Sequence, residues 1–396
     1  MNATDPTSGL TVWAEIDLDA LEHNVRSLRA RAPQSQLMAV VKADAYGHGL
    51  LPVAQAALSA GATWLGVAQF AEAFALRDAG VTSRILTWLS VPRSDFAGAV
   101  ARDIDLSASA TWTLYAIAAA ARDQGRTARV HLKVDTGLAR GGAFGPDWQP
   151  LVEHARLLEL EGVISVVGIW THFAFADAPE HPTVLAQQER FFEAVAVAEK
   201  TGLRPEVRHL ANSAATLVHP SAHADLVRPG IAIYGLTPVP QLADDFDLRP
   251  VMTLKARLAL VKRIPAGQGV SYGHTYVPDV DTFVGLVPAG YADGIPRDAS
   301  SVGPVSVGDL RTTVAGRVCM DQFVVDLGPD STAVAGDVVT LFGGGPGQPS
   351  AQEWADATDT ISYEIVTRLG ARVPRIYRGG SQATAHHDRG TAGAEV

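Results

Sequence analysis

Lys42 ends an apolar run, AVVK, and is the side chain in this sequence best suited to covalent chemistry. An ammonium group at the end of a buried strand loses hydration unless it pairs, deprotonates or forms a covalent bond. One interpretation is an activated amine that forms a Schiff base. The other is a lysine that emerges into solvent at a strand end, and Lys42 taken alone favours this second interpretation.

Two further motifs could bind a phosphate group. Asn212 and Ser213 precede an alanine-rich stretch, where a helix N-terminus would offer amides and a hydroxyl. Gly230 and Ile231 follow a proline and offer unhindered backbone N–H groups. Each signal is weak alone, because Asn-Ser is commonly a helix cap and Pro-Gly a turn. Beside a Schiff-base lysine, however, they match the needs of pyridoxal phosphate: covalent attachment, an anchored phosphate and a partner for the ring nitrogen.

The elements that must position these residues follow a βα rhythm. Between about residues 38 and 235, short apolar runs alternate with longer amphipathic or alanine-rich segments, which is typical of a parallel sheet. Eight predicted strands with intervening helices favour an α/β fold closed into a (β/α)8 TIM-type barrel, preceded by an extra helix at 17–32. The predicted strands are 37–42, 63–67, 84–89, 104–107, 129–134, 163–172, 207–210 and 226–233.

In such a barrel the functional side chains gather where strands end. The polar residues of this chain obey that rule, since Lys42 ends the first strand and His172 the sixth. The others lie in or just after later strands: Arg140, Asn212, Ser213 and Arg228.

The pattern changes near residue 246 to strands without long helices, at 252–261, 282–287, 311–315, 323–327 and 338–341, with one helix near 361–369. We therefore predict a barrel over 11–245 and a mostly β C-terminal domain over 246–380. Residues 381–396 have almost nothing to bury and are expected to form a disordered tail.

Composition excludes several classes of protein. The 396 residues include 42 acidic and 32 basic side chains, a net charge of −10, and no basic cluster, which argues against nucleic acid or anionic lipid as a partner. The single cysteine, Cys319, cannot form an intrachain disulfide or a multi-thiolate metal site, and no metal is expected. No apolar run reaches the length of a membrane span, and the N-terminus lacks a secretory pattern, so a cytoplasmic protein is the expectation.

Eight stretches resemble the bacterial alanine racemases closely and in the same order, across roughly residues 11–380. The resemblance implies a pyridoxal-phosphate barrel followed by a β domain, in a head-to-tail homodimer with shared active sites. It also implies interconversion of L- and D-alanine for peptidoglycan, by two-base transfer of the Cα proton on a cofactor aldimine. The stretches are AVVKADAYGHG, LKVDTGLARGG, WTHFAFAD, HLANSAA, RPGIAIYGL, VSYGHTY, PAGYADGIPR and GRVCMDQ.

By this resemblance, Lys42 holds the cofactor covalently, while His172 packs against its ring and Arg228 lies under the pyridine nitrogen. A guanidinium can only donate hydrogen bonds, so the ring nitrogen would stay unprotonated and the cofactor would be a weaker electron sink. That should disfavour side reactions such as transamination. The implied phosphate-binding residues are Tyr46, Ser213, Gly230, Ile231 and Tyr363, with Asn212 beside them.

The same resemblance implies that Lys42 serves one face of Cα and Tyr272, from the other subunit, serves the opposite face. A free tyrosine ionises only near pH 10, so neighbouring cations must make such a group a base. His209 is expected in that relay, hydrogen-bonded toward Tyr272.

Four more residues are assigned by the resemblance. Arg140 and Met320, the latter from the partner, correspond to positions that orient the substrate carboxylate. Tyr291 corresponds to a residue of the narrow entrance. Lys133 corresponds to a lysine that is often carbamylated in the family, which would convert a cation beside Arg140 into an anion.

Other functions remain open at the level of sequence. A racemase for larger amino acids, a basic amino-acid decarboxylase on a related scaffold, and a non-catalytic protein that stores or senses pyridoxal phosphate are the alternatives. Tyr272, Tyr291 and Met320 argue against the decarboxylase, and a tight entrance argues against larger side chains. The presence of the β domain with Tyr272 argues against the storage or sensing protein. Two departures from the expected pattern, Trp170 for a smaller aromatic residue and Phe175 for a small one, bear on substrate breadth and cofactor affinity.

Overall fold

The structure, a computed structural model, describes residues 5–380; the predicted tail at 381–396 lies outside the described residues. The strands are β1 (Val12–Asp17), β2 (Gln36–Val40), β3 (Trp64–Val67), β4 (Arg84–Thr87), β5 (Asp105–Ala108), β6 (Ala128–Asp135), β7 (Ala143–Phe144), β8 (Ile164–Trp170), β9 (Val207–His209), β10 (Leu226–Val227), β11 (Met252–Arg257), β12 (Leu260–Ile264), β13 (Thr282–Val287), β14 (Pro304–Val307), β15 (Leu310–Thr313), β16 (Phe323–Gly328), β17 (Val338–Phe342) and β18 (Arg375–Arg378). The α-helices are α1 (Leu18–Arg31), α2 (Lys42–Tyr46), α3 (Leu50–Ser59), α4 (Phe70–Asp78), α5 (Phe96–Ala101), α6 (Thr111–Gln124), α7 (Trp148–Leu160), α8 (Thr183–Lys200), α9 (Ser213–Val218), α10 (Ala351–Ala357) and α11 (Ser362–Thr367).

Eight parallel strands form the predicted barrel, in the order β10-β2-β3-β4-β5-β6-β8-β9. Backbone hydrogen bonds bridge β9 and β10, from Asp225 N–H to the Arg208 carbonyl at 3.1 Å and from Arg228 N–H to the Ala211 carbonyl at 2.9 Å. The closed α/β barrel is therefore confirmed. The eighth strand is shorter than predicted, because Pro229 cannot donate to a strand ladder and the chain turns there.

Burial explains why these runs are strands. β3 and β5 are buried along their whole length, as expected where helices cover a parallel sheet and the strand interior fills the barrel. The predicted extra helix is confirmed as α1, which Asp17 caps by accepting a hydrogen bond from Ala20 N–H at 2.9 Å. Within residues 5–380, no helix has both the length and the apolar character to cross a bilayer.

The C-terminal part is mostly β, as predicted. One sheet has the order β15-β14-β17-β11-β1-β18 and a second has the order β12-β13-β16. The sequence alone predicts no strand at Val12–Asp17, yet β1 lies inside the first sheet, antiparallel to β11 and parallel to β18. The first strand of the predicted barrel domain thus belongs to a sheet of the C-terminal β part. The division of the chain into two domains at residue 246 stays a prediction.

Candidate active site

A cavity of about 520 Å³ opens where the barrel strands end. Trp88, Leu89 and Gly141 line it although the sequence analysis did not single them out, and Trp170, a noted departure, lines it too. Tyr363 reaches it from α11, outside the barrel segment. Eleven of the predicted site residues meet in this cavity: Lys42, Tyr46, Lys133, Arg140, His172, Asn212, Ser213, Arg228, Gly230, Ile231 and Tyr363.

Lys42 stands two residues beyond β2, at the start of an unusual turn. The next four residues, 43–46, all have positive φ, between 52° and 55°, and so form a left-handed turn. Left-handed backbone costs roughly 1–2 kcal/mol per non-glycine residue. The Glu72 carboxylate helps to hold the turn by accepting a hydrogen bond from Ala43 N–H at 2.5 Å. The turn brings the Tyr46 ring to 5.9 Å from Lys42 Nζ.

The start of α9 and the turn at Gly230 form one polar pocket. Ser213 Oγ accepts a hydrogen bond from Gly230 N–H at 2.8 Å, and Asn212 caps the helix by accepting from Ala215 N–H at 3.0 Å. A Cβ at Gly230 would lie 2.3 Å from the Tyr46 hydroxyl. Only glycine allows that approach, so the hydroxyls of Ser213 and Tyr46 converge beside Gly230, and both can donate hydrogen bonds to a phosphate.

Two tyrosines complete this pocket. The Tyr46 and Tyr363 rings lie 6.2 Å apart between centroids. Burial raises the pKa of both phenols above the ordinary value, and for Tyr363 the charge of Asp177 adds to the effect. Both hydroxyls therefore remain protonated and able to donate to an anion.

The cavity carries excess positive charge. Lys42, Lys133, Arg140 and Arg228 line it, and none of the described lining residues is an acid. Burial, and after it the repulsion of neighbouring cations, lowers the pKa of Lys42 and brings the pKa of Lys133 to about 8. Burial brings the pKa of Arg228 to about 9. Burial and the same four cations hold the pKa of His172 well below its ordinary value, so its ring is neutral. Such a site favours anionic groups such as a phosphate and a carboxylate.

Arg228 is buried and held mainly by neutral acceptors. One terminal nitrogen, NH2, donates to the Thr171 carbonyl at 2.8 Å and to the Leu210 carbonyl at 3.1 Å, and it lies 3.5 Å from His172 Nδ1. The other, NH1, lies 3.3 Å from His209 Nδ1. The guanidinium is therefore fixed in orientation at the base of the cavity, as a partner for a heterocyclic ring nitrogen requires.

The expected hydrogen bond from His209 toward Tyr272 is wrong. The His209 ring is fully buried, its Nδ1 faces Arg228, and its Nε2 lies 2.9 Å from His131 Nδ1. Both ring nitrogens are thus occupied inside the barrel, whereas Tyr272 is 72% exposed. The reason is the alternation of side chains along β9, which turns this residue into the barrel interior.

Trp170 has a structural explanation for its size. Its ring stacks on His209 with centroids 5.6 Å apart, and its indole N–H donates to Ser107 Oγ at 3.0 Å. On the cavity side, Lys133 Nζ lies 4.2 Å from the ring centroid and the Arg228 guanidinium carbon 5.0 Å. The Trp170 ring thus stabilises both cations through cation–π contacts. Phe175, the other departure, is partly exposed and stacks on His181.

Arg140 is presented by a loop that Asp135 organises. The Asp135 carboxylate accepts hydrogen bonds from the N–H groups of Gly137 at 2.9 Å, Leu138 at 3.0 Å, Ala139 at 3.1 Å and Arg140 at 3.2 Å. This explains the aspartate of the DTGLAR stretch, and it leaves the Arg140 side chain at the cavity rim.

Tyr272, Tyr291 and Met320 do not join the barrel cavity in this chain. They line a separate cavity of about 480 Å³ on the β part, which shares no lining residue with the first. All three are exposed, at 72%, 44% and 54%. Ser271, with φ of 60°, and Gly273, with φ of 71°, flank Tyr272 and hold it out on a tight turn.

Sequence reasoning missed two buried polar residues below the cavity, Asp105 and His131. The His131 ring connects to His209 on one side, and its Nε2 lies 3.3 Å from Asp105 Oδ2 on the other. A signal was available: both are polar residues inside apolar strands, at positions where a barrel interior normally holds branched apolar side chains.

Comparison with known proteins agrees with this geometry. The family models "Alanine racemase, N-terminal domain" and "Alanine racemase, C-terminal domain" match residues 16–238 and 251–377. The alanine racemase of Frankia casuarinae is 59% identical, covering 92% of this chain and 95% of that protein, and that of Streptomyces coelicolor is 57% identical, covering 94% and 97%. The crystal structure of alanine racemase from D-cycloserine-producing Streptomyces lavendulae superposes with a TM-score of 0.93, at 55% identity over 95% of this chain and 99% of that one. The chain belongs to the alanine racemase family.

Proposed function

We propose that this chain is a pyridoxal-phosphate-dependent alanine racemase that interconverts L- and D-alanine, as its family membership implies, and supplies D-alanine for peptidoglycan. The observation that carries the cofactor assignment is the barrel cavity itself. It combines an amine of lowered pKa at Lys42, a polar pocket at Ser213 and Gly230, and a fixed guanidinium at Arg228. These are the three groups that pyridoxal phosphate needs.

Within this proposal, Lys42 Nζ holds the cofactor covalently between turnovers. Tyr46, Tyr363, Ser213, Gly230 and Ile231 would hold the phosphate, because all five residues line the same cavity. Arg228 donates to the ring nitrogen. When bound, pyridoxal phosphate supplies an electron-withdrawing ring that makes the Cα proton of the amino acid acidic.

Racemisation requires a proton to leave one face of Cα and another to arrive at the opposite face. Lys42, released during reaction, acts on one face; its lowered pKa makes the neutral amine more accessible near neutrality. Arg140, at the rim, binds the substrate carboxylate. Lys133 Nζ lies over the Trp170 ring, close enough to Arg140 for the two charges to interact, and it modulates the charge beside that carboxylate.

The second base comes from another copy of the chain. Tyr272 is exposed on a different cavity from Lys42, together with Tyr291 and Met320. That exposure supports a homodimer in which each copy lends these three side chains to the barrel mouth of its partner. Tyr272 then acts on the second face of Cα, Met320 helps to orient the carboxylate, and Tyr291 narrows the entrance.

The direct test is incubation of purified protein with L-alanine in deuterium oxide, followed by chiral chromatography with mass detection. D-alanine carrying deuterium at Cα is the expected product. No exchange by a protein that has bound the cofactor would contradict the proposal. Exchange with lysine or another larger amino acid, or carbon dioxide release, would then indicate the alternative racemase or decarboxylase.

A further inference from the structure

A continuous line of polar groups runs from Arg228 down the interior of the barrel. Arg228 NH1 lies 3.3 Å from His209 Nδ1, and His209 Nε2 lies 2.9 Å from His131 Nδ1. His131 Nε2 lies 3.3 Å from Asp105 Oδ2. The two histidines and Asp105 are fully buried, so water cannot replace these partners.

The two ends of this line fix the position of every proton in it. A guanidinium only donates, so His209 Nδ1 must accept and His209 Nε2 must carry the proton. That proton makes His131 Nδ1 an acceptor, and His131 then carries its proton on Nε2 and donates to the carboxylate of Asp105. Burial lowers the pKa of both imidazoles despite the carboxylate beside His131, so each holds a single proton.

Asp105 is held as a carboxylate at the far end. Arg84 donates to Oδ2 at 2.8 Å and Arg129 donates to Oδ1 at 2.5 Å. Burial raises the pKa of Asp105, but the hydrogen bond from His131 and the charges of both arginines outweigh it, and the pKa lies below its ordinary value. Asp105 therefore stays ionised and can only accept hydrogen bonds.

The strands are shaped to make room for this line. Arg129, His131 and Lys133 occupy alternate positions of β6, and alternate residues of a strand share a face. On the neighbouring strand β8, a Cβ at Gly168 would lie 2.2 Å from His131 Nδ1, so a side chain there would displace the ring. The Trp64 ring packs edge-on against His131, with centroids 5.4 Å apart.

We infer that Asp105 is a positioning residue which, through His131 and His209, fixes the tautomer of each imidazole and thereby the orientation of Arg228 as a donor into the cavity. The functional consequence rests on the proposed use of Arg228 against the cofactor ring nitrogen. The proton order itself does not depend on that function.

Neutron diffraction from deuterium-exchanged crystals of the wild-type holoenzyme tests the proton order directly. We expect deuterium on Nε2 of both His131 and His209, none on Nδ1 of either, and a fully deuterated Arg228 guanidinium directed at His209. Deuterium on Nδ1 of either ring, or on both nitrogens of one ring, would overturn the inference even if the protein racemises alanine. The expected order in a protein without racemase activity would leave the inference standing and remove the proposed function.

A variant pair tests the link to the cavity. Asp105→Asn replaces an acceptor-only group by one that can also donate, while Asp225→Asn alters an aspartate that pairs with Arg208 at 2.7 Å and does not touch the histidines. For Asp105→Asn we expect kcat to fall roughly tenfold or more, with KM within about twofold, and the absorption band of the bound cofactor to shift. Asp225→Asn should leave both readouts near wild type. Equal behaviour of the two variants would contradict the inference. If Asp105→Asn fails to fold, His131→Asn with the same readouts takes its place.

Discussion

At the level of single residues, four cations share the barrel mouth. Burial and mutual repulsion both disfavour the charged form of a basic side chain. Burial lowers the pKa values of Lys42, Lys133 and Arg228, and the repulsion of neighbouring cations adds to the effect for the two lysines. Carbonyl groups and a histidine hold the Arg228 guanidinium in place. A phosphate and a substrate carboxylate would relieve the repulsion. The chemistry of each lysine therefore depends on what shares the cavity with it.

Replacement of Lys42 by alanine should abolish covalent attachment of pyridoxal phosphate, because no other described lysine except Lys133 lines the cavity. The visible absorption band of the purified protein should disappear and racemase activity should fall by roughly three orders of magnitude or more. Lys255→Ala, which removes an ion pair with Glu15 on the β part, is the matched control and should keep both. A persistent band in Lys42→Ala would assign the attachment to another amine.

Lys133 should react with carbon dioxide. Its pKa of about 8 leaves a growing fraction of neutral amine as the pH rises through that value, and only the neutral amine attacks the carbon of carbon dioxide. The new N–C bond forms as a proton leaves the nitrogen, and the product is an anionic carbamate. Carbon-13 NMR in labelled bicarbonate should give a carbamate signal that strengthens from pH 7 to pH 9. The signal should vanish in Lys133→Met and persist in Lys262→Met; its survival in Lys133→Met would refute the assignment.

At the level of elements, three short segments form the pocket that we propose for the phosphate. The left-handed turn α2 supplies Tyr46, the start of α9 supplies Ser213, and the turn after β10 supplies Gly230. None of these segments would hold its conformation alone. The residues and the helix start can be predicted from the sequence. The left-handed turn cannot, because it contains no proline or glycine and its flanking glycines come only after it.

Gly230→Ala should weaken cofactor binding. The added Cβ would lie 2.3 Å from the Tyr46 hydroxyl, and overpacking of this kind costs about 1–3 kcal/mol, or roughly 5–150-fold in affinity. Titration of the apoprotein with pyridoxal phosphate measures it. Gly370→Ala is the control, because its Cβ would meet only the Ala292 carbonyl at 3.5 Å. Equal affinity in the two variants would argue against a phosphate at this pocket.

At the level of the whole molecule, strands from near both ends of the chain, β1 and β18, lie side by side in one sheet. Ala14 pairs with Leu254 and with Arg375, so β1 finds its partners hundreds of residues away. The run VWAEID gave no local signal that separated it from a loop preceding α1, because the alternation that identifies a strand becomes informative only with its neighbours present. Tyr363 is likewise brought from a distant part of the sequence, since it lies in the C-terminal part of the chain and lines the barrel cavity.

The proposed sharing of active sites predicts complementation between inactive variants. Lys42→Ala and Tyr272→Ala chains, co-expressed with different tags, should form mixed dimers that contain one intact site and one doubly altered site. Random pairing makes half of the dimers mixed, so the mixture should regain about a quarter of wild-type activity. Two differently tagged Lys42→Ala chains should regain none. Isolated mixed dimers without activity would contradict a site built from Lys42 and Tyr272 of different chains.

The sequence by itself determined the βα alternation, the (β/α)8 class, the β part after it, and the residues that meet at the barrel mouth, because strand periodicity and ordered motifs are local properties. Only the tertiary structure decided that His209 faces Arg228 and His131 rather than Tyr272, that Asp105 ends this line of hydrogen bonds, and that Tyr272 is exposed apart from Lys42. The physical reason is that these contacts join residues from different strands across the barrel. Strand direction, side-chain alternation and barrel closure together decide which of them meet, and no single stretch of sequence contains all three.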